Sequence, residues 1–400
     1  MTVVNLYLQM HQPYRLRRFG AFEEGHGYFD DHQNQEILRR VTLRCYRPVT
    51  RLLLDAVNQH AGEFRFALSI TGTLVEQLSL SAPDVLDNLR RLAETGCVEF
   101  LAETYHHDLT GLLSPDAFVR GLKDHGAMID ENFGQQPVVV RNTELLYNDA
   151  LAQVIDDQAR YRGVLTEGAD HVLCGRPAGR VYASPGGLPV MLKHHVFSDD
   201  IAFRFGNPGS RPTAAAYAAR VTAPASAPLG GDADPAADPP PLRNLFMDFE
   251  TFGEHHGDDT GILQFLHRLP AEVLKLDHRF LTPREILDEF DPVEVFSAPQ
   301  TISWADTDRD ESAWLGNALQ QSAAEALYGL SDAVHQSDDP ELLRDWKRLT
   351  TSDHLYYMST KGLNDGAVHR YFSPYDSPYD AYVNLVNVLA SLEGRASAQA

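Results

Sequence analysis

The residues best placed to do chemistry in this chain are carboxylates at the ends of apolar runs. Residues 244–256, Asn-Leu-Phe-Met-Asp-Phe-Glu-Thr-Phe-Gly-Glu-His-His, pass from Leu245-Phe246-Met247 into Asp248 and Glu250, and Gly253 then releases the backbone into a polar turn. In a strand, side chains alternate between faces, which would put Asp248 and Glu250 on one face at its carboxyl end. Burying carboxylates beside Phe246, Phe249 and Phe252 costs several kcal/mol unless they are paired or protonated. A raised pKa is also what a general acid needs near neutral pH. Glu144 is a second carboxylate in an apolar setting, preceded by Pro137-Val138-Val139-Val140 and followed by Leu145-Leu146-Tyr147. Taken singly, each acid reads equally well as a helix cap or an ion-pair partner. Two acids at the ends of two strands form the pair that glycoside cleavage requires. One attacks or activates water and the other protonates the leaving oxygen.

Other polar residues group around this pair. His11 and Gln12, just before Pro13, are either structural or donors to sugar hydroxyls. Glu76 and Glu103 sit near element ends, and Asp353 is a polar group within a helical apolar pattern, where burial would demand a partner. Trp304, Trp314, Tyr356 and Tyr357 are either core residues or flat faces for sugar rings. The pairs His106-His107, His194-His195 and His255-His256, with Asp30-Asp31-His32, raise the idea of zinc. Adjacent histidines diverge, however, and none has the i, i+4 helical spacing of a zinc protease, so no metal or cofactor is expected. No phosphate-cradling glycine loop and no Gly-x-Ser-x-Gly elbow occurs.

The elements that must carry these residues alternate. Strand-like runs lie at 3–8, 64–70, 98–101, 137–140 and 244–248, with weaker ones at 162–165, 171–174 and 189–192. Helical periodicity fills the intervals, most clearly from Ile37 to Val57, which predicts a parallel α/β architecture. Five of the strands deliver polar residues directly after their carboxyl ends. That distribution favours a (β/α) barrel over an open sheet with a single switch point. The expected organisation is a catalytic barrel over 1–300, with a disordered Ala/Pro/Gly/Asp-rich insertion at about 222–241, followed by a helical domain over 301–400.

The chain has 400 residues, and its 34 basic against 56 acidic side chains give a net charge of −22. Nucleic acid and anionic membrane surfaces are therefore excluded as partners, whereas a neutral ligand meets no repulsion. Three cysteines (45, 97, 174) imply no disulfide framework, and the N-terminus reads as a strand rather than a leader, so a cytoplasmic location is expected. No apolar stretch approaches the length of a membrane span.

The assembled motifs resemble glycoside hydrolase family 57, in particular its α-amylase-like members. They are His11-Gln12-Pro13, Thr71-Gly72-Thr73-Leu74-Val75-Glu76-Gln77-Leu78 and Val98-Glu99-Phe100-Leu101-Ala102-Glu103-Thr104-Tyr105-His106-His107. Asn142-Thr143-Glu144-Leu145, Met247-Asp248-Phe249-Glu250-Thr251-Phe252-Gly253 and Thr351-Ser352-Asp353-His354 follow in the family's order. The resemblance implies a (β/α)7-type barrel with a C-terminal helical domain and a retaining activity on α-1,4-glucan or maltooligosaccharide, of α-amylase or glucanotransferase type. It implies Glu144 as nucleophile and Asp248 as acid/base, with Glu250 the alternative acid, and no obligatory metal. The candidate substrate-binding residues are His11, Gln12, Glu76, His106, Glu250, Trp304 and Asp353. The rival readings are a metal-dependent carbohydrate deacetylase or mannosidase on a related barrel, and a non-catalytic glucan-binding protein.

Overall fold

The structure is a computed structural model that describes all residues except 24, 208, 210, 224–240, 362–372 and 398–400. Most of the expected insertion at 222–241 thus lies outside the described residues. The described residues form nine strands: β1 Val3–Met10, β2 Phe66–Ile70, β3 Val98–Phe100, β4 Val139–Arg141, β5 Gly163–Glu167, β6 Val181–Ala183, β7 Pro189–Lys193, β8 Leu242–Asp248 and β9 Arg279–Phe280.

Pairing runs in parallel through β3-β2-β1-β8 and through β4-β5-β7. Backbone hydrogen bonds stitch the two sheets into one ring. Just past β3, Ala102 N–H donates to Val139 (2.9 Å) and Ala102 C=O accepts from Arg141 N–H (2.7 Å). Past β7, His194 N–H donates to Asn244 C=O at 2.8 Å, and the side-chain amide of Asn244 (Nδ2) adds a bond to Leu192 C=O at 2.8 Å. Seven parallel strands therefore surround a common interior, the (β/α)7 barrel, closed at two narrow seams. Short β6 adds to β7 in the antiparallel sense, and β9 pairs alongside the start of β1.

Alternation along the strands sorts the core. Val4, Leu6, Leu8 and Met10 of β1, Phe66, Leu68 and Ile70 of β2, and Leu245 and Met247 of β8 pack against the surrounding helices. The opposite parity, Tyr7, Ala67, Leu101, Val139, Leu165, Met191 and Phe246, forms one apolar layer inside the barrel, with one residue from each strand or its extension. The run 171–174 departs from expectation. Asp170–Leu173 is a single helical turn, closed by Cys174 at φ 50°. A four-residue apolar run carries no decisive period, and Asp170 in the first turn favours the helix.

Among the described residues after 311, the regular elements are helices. Helices Ala318–Gly329, Pro340–Leu349 and Pro378–Ser397 share a core of Trp314, Leu327, Trp346, Leu349, Leu385 and Leu389. Leu16, Phe19 and Tyr28, from the loop after β1, and Leu109 and Leu146, from the barrel rim, belong to the same core, so the helical region is packed onto the rim.

Candidate active site

Two residues beyond the apolar layer, every barrel strand or its extension places a polar residue: Gln9, Ser69, Glu103, Arg141, Glu167, Lys193 and Asp248. Because the side-chain period is two, these share the inward parity of Tyr7 through Phe246 and make a second, polar layer at the carboxyl rim. Its members answer one another. The hydroxyl of Tyr7, below, meets Ser69 Oγ at 2.7 Å. The Arg141 guanidinium donates to Gln9 and pairs with Glu103 at 3.6 Å, while Lys193 pairs with Glu167 at 3.4 Å. Glu103, Arg141 and Glu167 have no solvent exposure, so such pairing is obligatory.

Glu144 stands just above this layer on a 3-10 turn, Thr143–Leu145, with φ 54°. A non-glycine residue holds that left-handed conformation at a cost of order 1–3 kcal/mol, so its surroundings must enforce it. The enforcement is visible. Trp304 N–H donates to Glu144 C=O at 3.2 Å, the Trp304 indole N–H donates to Oε2, and His107 Nε2 lies 3.0 Å from Oε1. His107 also has a left-handed backbone (φ 55°), and its Nδ1 lies 3.3 Å from Glu103. Burial alone would lower the His107 pKa, but the bonds to Glu103 and Glu144 prevail and raise it to about 9. An imidazolium held between two carboxylates results. For Glu144, burial favours the protonated form, yet the His107 hydrogen bond and charge, then Arg141 and Trp304, pull its pKa below the ordinary value. Glu144 is therefore ionised.

Asp248 is the opposite case. It is partly exposed at the rim and is pushed up to about 7, first by desolvation and then by the negative charge of Glu144. Arg141, Lys193 and His107 offset only part of that shift. Glu250 does not share its face. The strand stops at Asp248, Phe249–Thr251 is a 3-10 turn, and the period-2 alternation that would align the two acids no longer applies. Glu250 is buried instead, accepting the Tyr46 hydroxyl and, at 3.4 Å, the His11 N–H. Burial, followed by the Asp248 charge, raises its pKa to about 8.

With this geometry in view, the comparisons with known proteins are informative. The sequence model described as Glycosyl hydrolase family 57 matches residues 5–299. The chain belongs to glycosyl hydrolase family 57. A curated relative named "Putative alpha-amylase", from Methanocaldococcus jannaschii, is 37% identical over 98% of this chain and 84% of its own length. Among solved structures, the 4-alpha-glucanotransferase from Thermococcus litoralis superposes with a TM-score of 0.68 at 15% identity, over 97% of this chain and 60% of that one. The GH57-type branching enzyme from Pyrococcus horikoshii gives 0.67 at 15% identity, over 98% and 91%. At such identities the two structures speak for the fold.

In this family 57 barrel, His11, Trp304, Glu250 and Asp353 gather around the carboxylates. His11 stacks on His107 with ring centroids 4.2 Å apart, meets Thr71 Oγ1 at 2.9 Å and lies 3.0 Å from Asp353. Burial and the neighbouring imidazolium keep His11 neutral. The Asp353 carboxyl is held below the usual carboxylate range: burial favours its protonated form, but the hydrogen bond with His11 and the positive charges of His107 and Arg15 outweigh that desolvation. Trp304 has the cations of Arg141 and Lys193 5.1 and 5.4 Å from its ring centroid. Gln12 is adjacent but is engaged by Arg15 at 3.1 Å. Glu76 is taken up by Tyr14, Tyr105 and Arg348, and with His106 it lines a separate cleft. Among the described residues, no group of three or more His, Cys, Asp or Glu is placed to hold a metal ion.

The sequence reading did not single out Arg141, Glu167, Lys193 or Tyr46, and it chose His106 over His107. Counting in twos from each inward apolar residue finds the first three. The histidine choice rests on the left-handed backbone at His107, which no residue type announces.

Proposed function

We propose that the protein cleaves α-1,4-glucans with retention of configuration, through a glycosyl intermediate on Glu144. The observation that carries this reading is the arrangement at the rim: His107 and Trp304 donate to Glu144 and favour its ionised form, while Asp248, partly buried in its field, is pushed up to about 7 and so can carry a proton near neutral pH. Two carboxylates pushed apart in this way are suited to the nucleophile and acid roles of glycoside cleavage. Glu144 attacks the anomeric carbon as the bond to the departing glycosidic oxygen breaks, and that oxygen takes the Asp248 proton. Asp248, now a carboxylate, removes a proton from water or from a sugar hydroxyl, whose oxygen then displaces Glu144. His107 and Trp304 donate to the nucleophile and fix its orientation without taking up the reaction's protons.

Between the two acids at the end of β8, the availability of Asp248 supports it as the acid/base, because Glu250 is buried against Tyr46. His11 and Asp353 stand beside the pair and are suited to hold sugar hydroxyls, with Trp304 as a wall. The names of the relatives given above, "Putative alpha-amylase", a 4-alpha-glucanotransferase and a branching enzyme, support the substrate class. Cytoplasmic residence fits three cysteines that form no disulfide.

Incubation with amylose tests the reading. Wild type should release or transfer maltooligosaccharides with the α configuration kept, and the products tell water from sugar as the acceptor. Glu144→Gln should abolish turnover. Asp248→Asn should lower kcat by about 10²–10⁴-fold, the usual contribution of general acid–base catalysis. Full activity in Glu144→Gln would overturn the assignment.

A further inference from the structure

Trp304 donates to Glu144 from both its backbone and its indole, and the segment around it is built to hold that pose. Just before it, Ile302 and Tyr147 exchange backbone hydrogen bonds at 2.9 Å, which pins the segment to the chain leaving Glu144. Just after it, the chain turns back on itself. Ser303 N–H donates to Arg309 C=O at 3.1 Å and Ser303 Oγ donates to Asp310 C=O at 2.7 Å. Asp306 (φ 54°) and Arg309 (φ 53°) both stand in the left-handed region. Neither is a glycine, so contacts outside the hairpin must hold these conformations.

Ion pairs supply them from two directions. The Lys361 ammonium lies 3.2 Å from Asp306, 2.9 Å from Asp308 and 3.8 Å from Asp310, which ties the hairpin to the helical region. Arg309 ties it to the barrel. Its guanidinium is 2.8 Å from Glu167, at the end of β5, and 3.7 Å from Asp199, in the helix His195–Ala202. Lys193, at the end of β7, faces the same two acids at 3.4 and 3.1 Å, and its ammonium lies 5.4 Å from the centroid of the Trp304 ring. Two cations thus balance two acids beside the indole, and among the described residues no other cation pairs with either acid. Glu167 has no solvent exposure, and a charge left unpaired in such a place is not rescued by water.

We propose that Arg309 is a positioning residue for Glu144, acting through Trp304: its pair with Glu167 seats the hairpin on the rim and so aims the indole N–H at the carboxylate. The proposal rests on the reading of Glu144 as the nucleophile. Its effect on turnover passes through the indole hydrogen bond, since the ion pairs of Arg309 go to Glu167 and Asp199.

The test is the indole N–H NMR spectrum of the full chain, isotope-labelled at its three tryptophans, together with kcat on amylose. Loss of one resonance in Trp304→Phe identifies the Trp304 signal, and Trp314 and Trp346, in the core of the helical region, serve as internal references. In Arg309→Met the Trp304 signal should move upfield, as a proton leaving a carboxylate does, while the other two stay in place. The kcat should fall roughly 10-fold, the lower end of what a hydrogen bond to a charged group can contribute. Arg309→Lys keeps the charge and should restore part of both. In a Trp304→Phe background, Arg309→Met should cost no further kcat, whereas a merely structural Arg309 would lower it by the same factor in both backgrounds. Glu167→Gln removes the charge of the pair without stranding a buried carboxylate; it should move the same signal, and it carries the test should Arg309→Met not fold. A Trp304 signal at its wild-type position in these variants overturns the proposal, as does an undiminished loss of kcat in the Trp304→Phe background. Wild-type turnover keeps the two readings apart. If wild type leaves amylose intact, the nucleophile reading falls, and the Trp304 signal still decides whether Arg309 seats the indole on Glu144.

Discussion

At the scale of single residues, the proposed mechanism rests on two carboxylates whose surroundings push their pKa values apart. His107 is central to this because it carries a positive charge between Glu103 and Glu144. In the proposed mechanism the reactive form has Glu144 ionised and Asp248 protonated. Its population falls on the acid side as Glu144 takes a proton, below the ordinary glutamate range, and on the alkaline side as Asp248 loses one near pH 7. The kcat/KM profile should therefore be bell-shaped, with an alkaline limb near 7, and Asp248→Asn should remove that limb. An alkaline limb unchanged in Asp248→Asn would assign it to another group. Glu144 and Asp248 stand out in the sequence as a candidate pair because both follow apolar runs. The separation of Asp248 from Glu250 was not legible there, since it depends on a 3-10 turn that starts within the run Phe-Glu-Thr-Phe.

At the scale of elements, one irregularity holds the turn after β8. The helical pattern from Ile37 to Val57 looks continuous in sequence, but it contains a π-helical stretch, Thr42–Tyr46, between helices Asp31–Val41 and Arg47–Gln59. The extra residue in that turn carries Tyr46 onto Glu250 and Cys45 Sγ to within 3.4 Å of Phe249 C=O. Gly253 lets the two segments meet. Its φ is 113°, and a Cβ there would lie 2.1 Å from the Arg44 carbonyl oxygen. Gly253→Ala is expected to destabilise the protein by ~1–3 kcal/mol, seen as a lower midpoint of thermal unfolding, and to reduce kcat/KM at the permissive temperature. A midpoint equal to wild type would show that the contact is not required. Periodicity located the long strands because each offers several residues to count. It missed the three-residue β6 and two-residue β9, and it took 171–174 for a strand, because so few residues define no period.

At the scale of the whole molecule, the barrel rim supplies the two carboxylates, and the helical region completes their surroundings. Ser352 N–H donates to the carbonyl of His107 at 2.9 Å, Thr351 bridges Asp108, and Asp353 reaches His11. Farther out, Arg348 joins Glu76 while its guanidinium lies 4.0 Å from the centroid of Tyr14. The segment 351–353 therefore touches the backbone of the imidazolium that orients Glu144 and the side chain of the histidine stacked on it. If Asp353 acts through His11 in this way, Asp353→Ala removes the charged acceptor from a buried imidazole, and a hydrogen bond to a charged group contributes about 1.5–3 kcal/mol. That range corresponds to roughly a 10- to 100-fold loss in kcat/KM, at about 1.4 kcal/mol per factor of ten. Asp353→Asn keeps an acceptor for the His11 N–H and should recover part of the loss. A segment that merely covered the barrel end would give the same small loss for both variants, so the difference between them measures how far the helical region belongs to the site.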